Sequence, residues 1–552
     1  MVSSPSVLVV GAGPAGLVSA LLLAKNAITV RIIDKDESFH VGSRGFGVQP
    51  RTFELFEVLG INDELQKLAT PIPTMRAYKL PGGTIPVKTW DLYEKGDVWP
   101  DRPYANGACL GQDLLEGVLR NHLAKYGVAV EVGKGLTALR QNDNSVIASI
   151  TTFVDGNATA EVETATFEYL IGSDGARGST RKLLNLTFEG ETRDADGMVW
   201  GDVQIKGLTS DYWHIWGKPG EFTIMARPLS PEGDKFGIGI TGLNFDPTEL
   251  GDPAKAVEFI RNETGRADLE FGEWTWLSYF KPNMRMVNKF QEGRTFVVGD
   301  SAHVHSPTGG QGMNCSVQDA FNLVWKLAWV LKQGKPSLLA TYHEERLPVI
   351  TQMLHATTKL YTHTVVQEKP SEPTQAQNAS ESGWFKWRNS ALEMYGINYR
   401  FSSIVLDERS IRPKDTEDML AHAYSGYEGR GSLCAGDRAP DAPRLTTSNS
   451  ETTLYKLLKP DAHTILVFGG AGISQLSAVG STNFQAFVVR SPGEDTSSNG
   501  FEELVDGDGW AHRAYMAKPD DRLFVVIRPD TYIGALFTEG KGLTRYLAKL
   551  GL

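Results

Sequence analysis

Gly11-Ala-Gly13-Pro-Ala-Gly16 stands between two apolar runs, Ser6–Val10 and Val18–Leu23, and few folds accept that arrangement. A buried-type strand that enters three glycines at this spacing and leaves in an apolar helix is the first half of a β-α-β unit. Thr29–Ile33 supplies the second strand and ends at Asp34. The glycines allow a tight turn and a close approach of backbone to a pyrophosphate. The helix start offers free N–H groups and a positive dipole end to the anion. Asp34, 18 residues after Gly16, is placed to accept from ribose hydroxyls. In this strand-turn-helix setting the fingerprint predicts dinucleotide binding.

The run Arg294–Leu331 adds a second constraint. Thr295–Val298 reads as a buried strand, and Asp300 after it can hold a ribose or ribityl hydroxyl. Pro307 through Gly312 is a proline and glycine turn that can present backbone to a flat ring. A helix beginning near Gln311 or Gly312 points its positive end at that ring. Val317, Phe321, Val324, Ala328 and Leu331 keep helical spacing and read as core. His303 and His305 are not read as a metal pair, because no Cys, Asp or Glu cluster completes a site. A third run, Asp174-Gly-Ala-Arg177-Gly-Ser179-Thr-Arg181, follows the strand Tyr169–Gly172. An Asp-Gly turn with clustered arginines suits a phosphate-rich ligand, and equally suits an ordinary turn at a helix start.

At 552 residues the chain predicts about three domains. The net charge of −11 argues against nucleic acid as a partner. Cys109, Cys315 and Cys434 form no CxxC; they support neither a disulfide scaffold nor a zinc site and fit a reducing, cytoplasmic compartment. Val7–Val10 is too short for a signal peptide, and no apolar stretch is long enough for a membrane span. Gly111–Tyr126 predicts a helix with Leu114, Leu115, Val118, Leu119 and Leu123 on one face. Asp211–Trp216, Phe222–Arg227 and Lys235–Leu243 are short, aromatic-rich and strand-like; with Met75–Arg102 they predict an inserted antiparallel sheet. Leu338–Thr364 reads as helix and Lys369–Ser382 as a surface loop. Gly436–Pro443 precedes a separate α/β unit with buried strands at Thr464–Phe468 and Arg522–Ile527.

In order, spacing and context, the three motifs resemble those of class A flavoprotein monooxygenases, the para-hydroxybenzoate and phenol hydroxylase type, over roughly residues 6–360. The resemblance implies an α/β fold: a Rossmann-type FAD-binding domain (residues 1–75, 103–187 and 286–365) with an inserted, mainly antiparallel β-sheet substrate domain (76–102 and 188–285). A linker and helical segment (366–435) and a C-terminal domain (436–552) follow. The last resembles the thioredoxin-like domain of the phenol hydroxylase branch. It lacks the redox CxxC, so a structural or homodimer-contact role is expected rather than thiol chemistry.

The same resemblance implies non-covalent FAD, with NADPH or NADH as co-substrate. Gly11, Gly13, Gly16 and Asp34 would hold the ADP half, although many relatives have Glu where Asp34 stands. Arg44 would lie near the pyrophosphate and Gln112 beside the flavin. Asp174 and Arg177 would touch FAD and NAD(P)H, and Asp300 the sugar chain. Pro307, Gly310, Gly312, Met313 and Asn314 would line the isoalloxazine, with Pro307 and Gly310 in the ring-facing turn next to the chemistry. The implied reaction hydroxylates a small-molecule aromatic with O2 through a flavin C4a-hydroperoxide. Epoxidation, Baeyer–Villiger insertion and a non-catalytic redox sensor are the alternatives. Flavin halogenases carry a GWxWxIP run, whose register and proline Gly272–Leu277 lacks. The simple-phenol branch has an acid where this chain has Phe46, so no protein base is assigned. His214, Trp216, Met225, Arg227 and Tyr279 are the candidate substrate contacts. Strand alternation places His214 and Trp216 on one face and Trp213 on the other, and the aromatic content points to a bulky substrate such as a secondary metabolite.

Overall fold

The computed structural model describes residues 5–92, 98–192, 197–218, 221–231, 233–242, 246–280, 283–305, 309–361, 390–409, 416–428, 431–448, 450–469, 483–494, 500–518 and 522–552. Its nucleotide-side sheet has six strands, in the order Gln291–Glu292, Thr295–Val297, Tyr169–Gly172, Val7–Val10, Val30–Ile33 and Val130–Glu131. All neighbours run parallel except the Gln291–Glu292 edge. Val7–Val10 is central and covered on both faces, which explains its unbroken apolar sequence. The helix Pro14–Lys25 starts with proline at its first turn and is buried continuously from Ala15 to Leu23. It lies between the sheet, the helix Gln112–Ala124 and the helix Gly312–Lys332. On Gln112–Ala124 the buried stripe is Leu115, Val118, Leu119 and Leu123; Leu114, expected with them, is 45% exposed. A three-stranded antiparallel sheet, Lys134–Gln141, Val146–Val154 and Asn157–Phe167, also belongs to this part of the fold. The sequence reading did not resolve it.

A second sheet has seven strands, in the order Glu270–Phe280, Gly197–Lys206, Lys235–Gly242, Phe222–Pro228, Tyr212–Lys218, Thr74–Tyr78 and Pro86–Trp90. It is antiparallel except where Tyr212–Ile215 runs beside Thr74–Ala77. Its two faces differ. One face carries Val199, Val203, Trp216, Phe222, Ile224, Phe236, Ile238 and Ile240, packed against Ile260 and Leu250. Ile260 belongs to the helix Pro253–Thr264, which Asp252 caps by accepting from the N–H groups of Ala254 and Lys255 and which Gly265 ends in the left-handed region. The opposite face carries Met75, Ala77, Trp213, Ile215 and Met225, with Phe46, Ile72, Trp90, Leu92 and Trp200 packed on them.

The helix Gly312–Lys332 runs through the interior and is buried on nearly every side, including the polar Asp319, Asn322 and Lys326. The polar residues are spent on buried pairs. Lys326 Nζ lies 2.7 Å from Glu345 of the helix Ala340–Tyr361, and Arg528 donates to both Glu345 oxygens at 2.7 and 2.9 Å. Arg528 Nε donates to Asp530 at 2.9 Å, and Trp325 Nε1 to the same carboxylate at 3.1 Å. Removing one member of such a group leaves an uncompensated buried charge, which is costlier than the pair itself is stabilising. Arg528 and Asp530 belong to an eight-stranded C-terminal sheet region. Residues 390–409 and 416–428, expected as linker and helical segment, place Tyr395, Ile397, Tyr399 and Tyr427 in the protein core.

Among the described residues no helix is long and apolar enough to cross a membrane. Nor does any group of three metal-ligating side chains occur there. Cys109 and Cys315 are buried and Cys434 is partly so.

Candidate active site

The three fingerprint glycines have three different reasons to be glycine. Gly11 has φ +100°, and a Cβ there would lie 2.4 Å from the Ser173 carbonyl oxygen. A Cβ on Gly16 would lie 1.9 Å from the Gly11 carbonyl oxygen. A Cβ on Gly13 would meet nothing within 4 Å. Packing therefore requires the outer two, and the middle one opens space beside a helix start that has no side-chain cap. That is a cradle for a phosphate. Asp34 sits at its rim: Oδ2 accepts from the Ala12 N–H at 2.7 Å and Oδ1 from the Asp36 N–H at 2.9 Å. Burial pushes its carboxyl above the usual range, against those two backbone donors.

Arg44 is exposed on the loop after Gly42, whose N–H donates to Asp113 at 3.1 Å. Gln112 Nε2 donates to Glu116 at 2.8 Å, and its Oε1 lies 3.1 Å from where a Cβ on Gly45 would be. Glu116 is pushed up to about 7, first by burial, with Gln112 and Arg120 opposing.

Asp174 has a different job from the ligand contact expected of it. One oxygen accepts from the Thr180 N–H at 2.8 Å and the Thr180 hydroxyl at 2.9 Å, and the other from the Ser301 hydroxyl at 3.0 Å. It staples its own turn to the Asp300 turn. Arg177 is exposed. Arg181, quoted in the motif but given no role, is the buried arginine: it donates to the Ser301 and Ala176 carbonyls at 3.1 and 2.7 Å and stacks 3.8 Å over Phe188.

Asp300 projects from the single turn Gly299–Ser301 and is exposed. The turn is fixed by Asp319, whose Oδ2 accepts from the Gly299 N–H at 3.0 Å and lies 2.7 Å from His303 Nε2. Arg346 holds the other Asp319 oxygen at 2.6 Å. His303 is thus part of the scaffold behind the turn.

Pro307 lies outside the described residues. Gly309 and Gly310 follow with φ +94° and +61°, a backbone that favours glycine. The helix starts at Gly312 with no side-chain cap, and Met313 packs partly buried against the core. Asn314 is fully buried and hydrogen-bonds in four directions. Its Oδ1 accepts from the Gln49 N–H at 2.8 Å and the Thr52 hydroxyl at 2.6 Å. Its Nδ2 donates to the Gly47 and Gly310 carbonyls at 2.8 and 2.7 Å. Expected as a ring-lining residue, it is the clamp that closes the Gly309–Gly312 turn onto Gly47–Thr52.

Gly47 follows Phe46, whose ring faces the second sheet. Arg227 stacks over it at 3.8 Å, Trp213 meets it edge-on at 5.8 Å and Trp200 lies tilted at 6.3 Å. Met225 belongs to the same face. Asp202 is a buried carboxylate spent on Ser43, taking its N–H at 2.6 Å and its hydroxyl at 2.7 Å. Of the five candidate substrate contacts, Met225 and Arg227 share this face and His214, Trp216 and Tyr279 do not. Trp216 lies on the far face, with its indole N–H donated to the Gly83 carbonyl at 2.9 Å. His214 stacks on Trp216 at 5.8 Å between the Tyr78 hydroxyl and the Thr209 carbonyl, each at 2.7 Å. Burial lowers its pKa to about 4. Tyr279 is half exposed beside Gly251, on the helix-bearing side. Alternation paired His214 with Trp216 correctly. The side on which the Pro253–Thr264 helix packs turns that pair, and Tyr279, away from Phe46.

A phosphate cradle with a carboxylate at its rim, an exposed aspartate two strands along the same sheet and a glycine turn at an open helix end fit a single-Rossmann dinucleotide-binding protein. The family model described as FAD binding domain matches residues 4–357. The chain belongs to this family and is an FAD-dependent monooxygenase. It is 29% identical over 549 residues to a flavin-dependent monooxygenase of Mycobacteroides abscessus, covering 99% of this chain and 100% of the relative. It is 30% identical over 473 residues to pentachlorophenol 4-monooxygenase of Sphingobium chlorophenolicum, covering 84% and 79%. Its fold matches that of aklavinone-11 hydroxylase, solved with FAD and aklavinone, with a TM-score of 0.77 at 24% identity over 100% of this chain and 99% of that one.

Proposed function

We propose that the chain hydroxylates a bulky aromatic metabolite, using O2 and NADPH or NADH. The observation that carries this reading is the Asn314 clamp, which holds the glycine turn against the segment that presents Phe46 to the aromatic face of the second sheet. FAD bound there, once reduced by the nicotinamide, supplies the activation of O2. Gly13 and the open start of Pro14–Lys25 would hold its pyrophosphate, Asp34 its adenosine ribose and Asp300 its sugar chain. Arg44 and Arg177, both exposed, would meet phosphates of FAD or the nicotinamide. The chain's own part is to bind, orient and exclude water. Phe46, Trp213, Trp200, Met225 and Arg227 form the substrate wall, where apolar area selects a large ring system and Arg227 orients an oxygen substituent. The pentachlorophenol named for one relative supports an aromatic acceptor.

A thioredoxin-like arrangement is proposed for the C-terminal unit. Its central strands follow the order Ile533–Phe537, Leu523–Ile527, His463–Phe468, Phe484–Arg490, with only the last pair parallel. Its role is structural.

The test is direct. The purified chain should carry a flavin spectrum, and a panel of aromatic compounds should be screened for faster NADPH or NADH oxidation. The expected product contains one oxygen atom from isotopically labelled O2. Bound flavin with no compound accelerating nicotinamide oxidation would overturn the enzymatic reading and favour a sensor.

A further inference from the structure

The glycine turn is held from two sides, and one of them draws on residues beyond the segment matched by the family model. On the near side stands the Asn314 clamp. On the far side stands Gln311, fully buried, with its amide committed in three directions. Its Nε2 donates to the Gly309 carbonyl at 3.0 Å and to the Leu392 carbonyl at 3.1 Å. Its Oε1 accepts from the Tyr424 hydroxyl at 2.8 Å. Burial raises the Tyr424 pKa well above its ordinary value, so the phenol keeps the proton it donates. Tyr424 is itself anchored, its N–H donating to Gln352 of the Ala340–Tyr361 helix at 3.0 Å. Leu392 and Tyr424 both lie beyond residue 357, where the family match ends.

We infer that Tyr424, acting through Gln311, is a positioning residue for the flavin-facing turn, so that residues 390–409 and 416–428 form the outer half of the active-site scaffold. The inference rests on the proposed placement of the flavin ring at Gly309–Gly312. Gly309 and Gly310 have no side chains to hold their backbone, and their positive φ values leave the turn dependent on hydrogen bonds from outside. The Gly309 carbonyl receives two side-chain amides, Gln311 from this side and Gln49 Nε2 at 3.1 Å from the other. Loss of the Tyr424 hydroxyl frees the Gln311 amide to rotate and release Gly309. A looser turn would admit water beside a bound ring, and the two electrons that O2 takes from reduced flavin would then leave as hydrogen peroxide rather than in hydroxylated product and water.

The experiment compares Tyr424→Phe with Tyr395→Phe. Tyr395 belongs to the same segment and donates a buried hydroxyl to the Tyr104 carbonyl at 2.6 Å, away from the turn. Both variants lose one buried hydrogen bond, so a general loosening of the segment affects them alike. In Tyr424→Phe the peroxide formed per nicotinamide oxidised should rise about fivefold, the equivalent of one buried hydrogen bond. The flavin absorbance band should change shape. In Tyr395→Phe both should stay at the wild-type level. Gln311→Met should exceed Tyr424→Phe in the same direction, and adding Tyr424→Phe to it should change nothing further. Equal shifts in both tyrosine variants, or wild-type coupling and spectrum in Tyr424→Phe, overturn the inference. An additive double variant overturns it too. A wild-type protein that binds flavin but oxidises no aromatic overturns the proposed function instead, and the absorbance comparison still decides the role of Tyr424.

Discussion

Replacing Asn314 with alanine is the sharpest perturbation of this site, because it removes four short hydrogen bonds and adds no bulk. The bonds run from the Gln49 N–H and the Thr52 hydroxyl to Oδ1, and from Nδ2 to the Gly47 and Gly310 carbonyls. Thr52 can rotate its hydroxyl elsewhere, and the two carbonyls keep a second lone pair. The Gln49 N–H has no such freedom, and Asn314 admits no solvent. At about 1 kcal/mol for each bond, the closed turn loses about 4 kcal/mol. If half of that is expressed in the flavin-binding conformation, the Kd for FAD rises about thirtyfold, since 1.4 kcal/mol is tenfold. The assay is a titration of apoprotein with FAD, followed by flavin fluorescence, with urea unfolding of the apoprotein measured in parallel. Asn314→Asp serves as the partner variant. It keeps the acceptor for Gln49 and Thr52 but turns a carboxylate toward two carbonyls, so it should bind FAD less tightly than wild type. An Asn314→Ala protein with a Kd within about twofold of wild type and an unchanged flavin spectrum refutes the clamp.

Gly13→Ala should fold with wild-type urea stability, within about 0.5 kcal/mol, because its Cβ meets nothing within 4 Å; its FAD affinity should fall steeply. Gly16→Ala should instead fail to give folded protein, its Cβ lying 1.9 Å from the Gly11 carbonyl oxygen; normal folding of that variant would refute the packing role. Glu345→Gln leaves Lys326 and Arg528 buried with too little negative charge, and urea unfolding should register a loss of about 3 kcal/mol. Glu116 gives a pH signature. Its pKa is raised from 4.5 to about 7 in the folded protein, so between those values the folded state binds the extra proton. Stability from this group is therefore present below about 4.5, declines as pH rises to about 7 and is flat above. Urea unfolding across that range should show wild type losing ground to Glu116→Gln, and parallel pH profiles would refute it.

The phosphate cradle was legible because it is local. Strand, glycines, helix and Asp34 fall within some thirty residues of one another, and Gly11 and Gly16 press on backbone close at hand or at the end of the adjacent strand. The Asp300 turn and the helix after it were legible for the same reason. The alternation of the strand Tyr212–Lys218 correctly paired His214 with Trp216 and separated Trp213. It could not say which pair faces the site, because that depends on the side taken by the Pro253–Thr264 helix. That helix had its own signal in Asp252, Pro253 and Gly265, and reading it would have warned against His214 and Trp216 as substrate contacts. Asp174 looked like a ligand because an Asp-Gly turn with arginines is chemically suited to one. Its oxygens are consumed by Thr180 and by Ser301, 127 residues away.

The sequence by itself determined the cofactor class and the local geometry of the glycine turn at Gly11–Gly16, since backbone conformation, helix dipoles and short-range sterics act between near neighbours. Tertiary structure alone decided what holds the Gly309–Gly312 turn and which side chains share a face with Phe46. Arg51 reaches the Asp530 carbonyl across 479 residues, and Tyr424 reaches Gln311 across 113. No periodicity or spacing records a contact of that kind, because side-chain donors and acceptors find their partners only after the sheets and helices have packed.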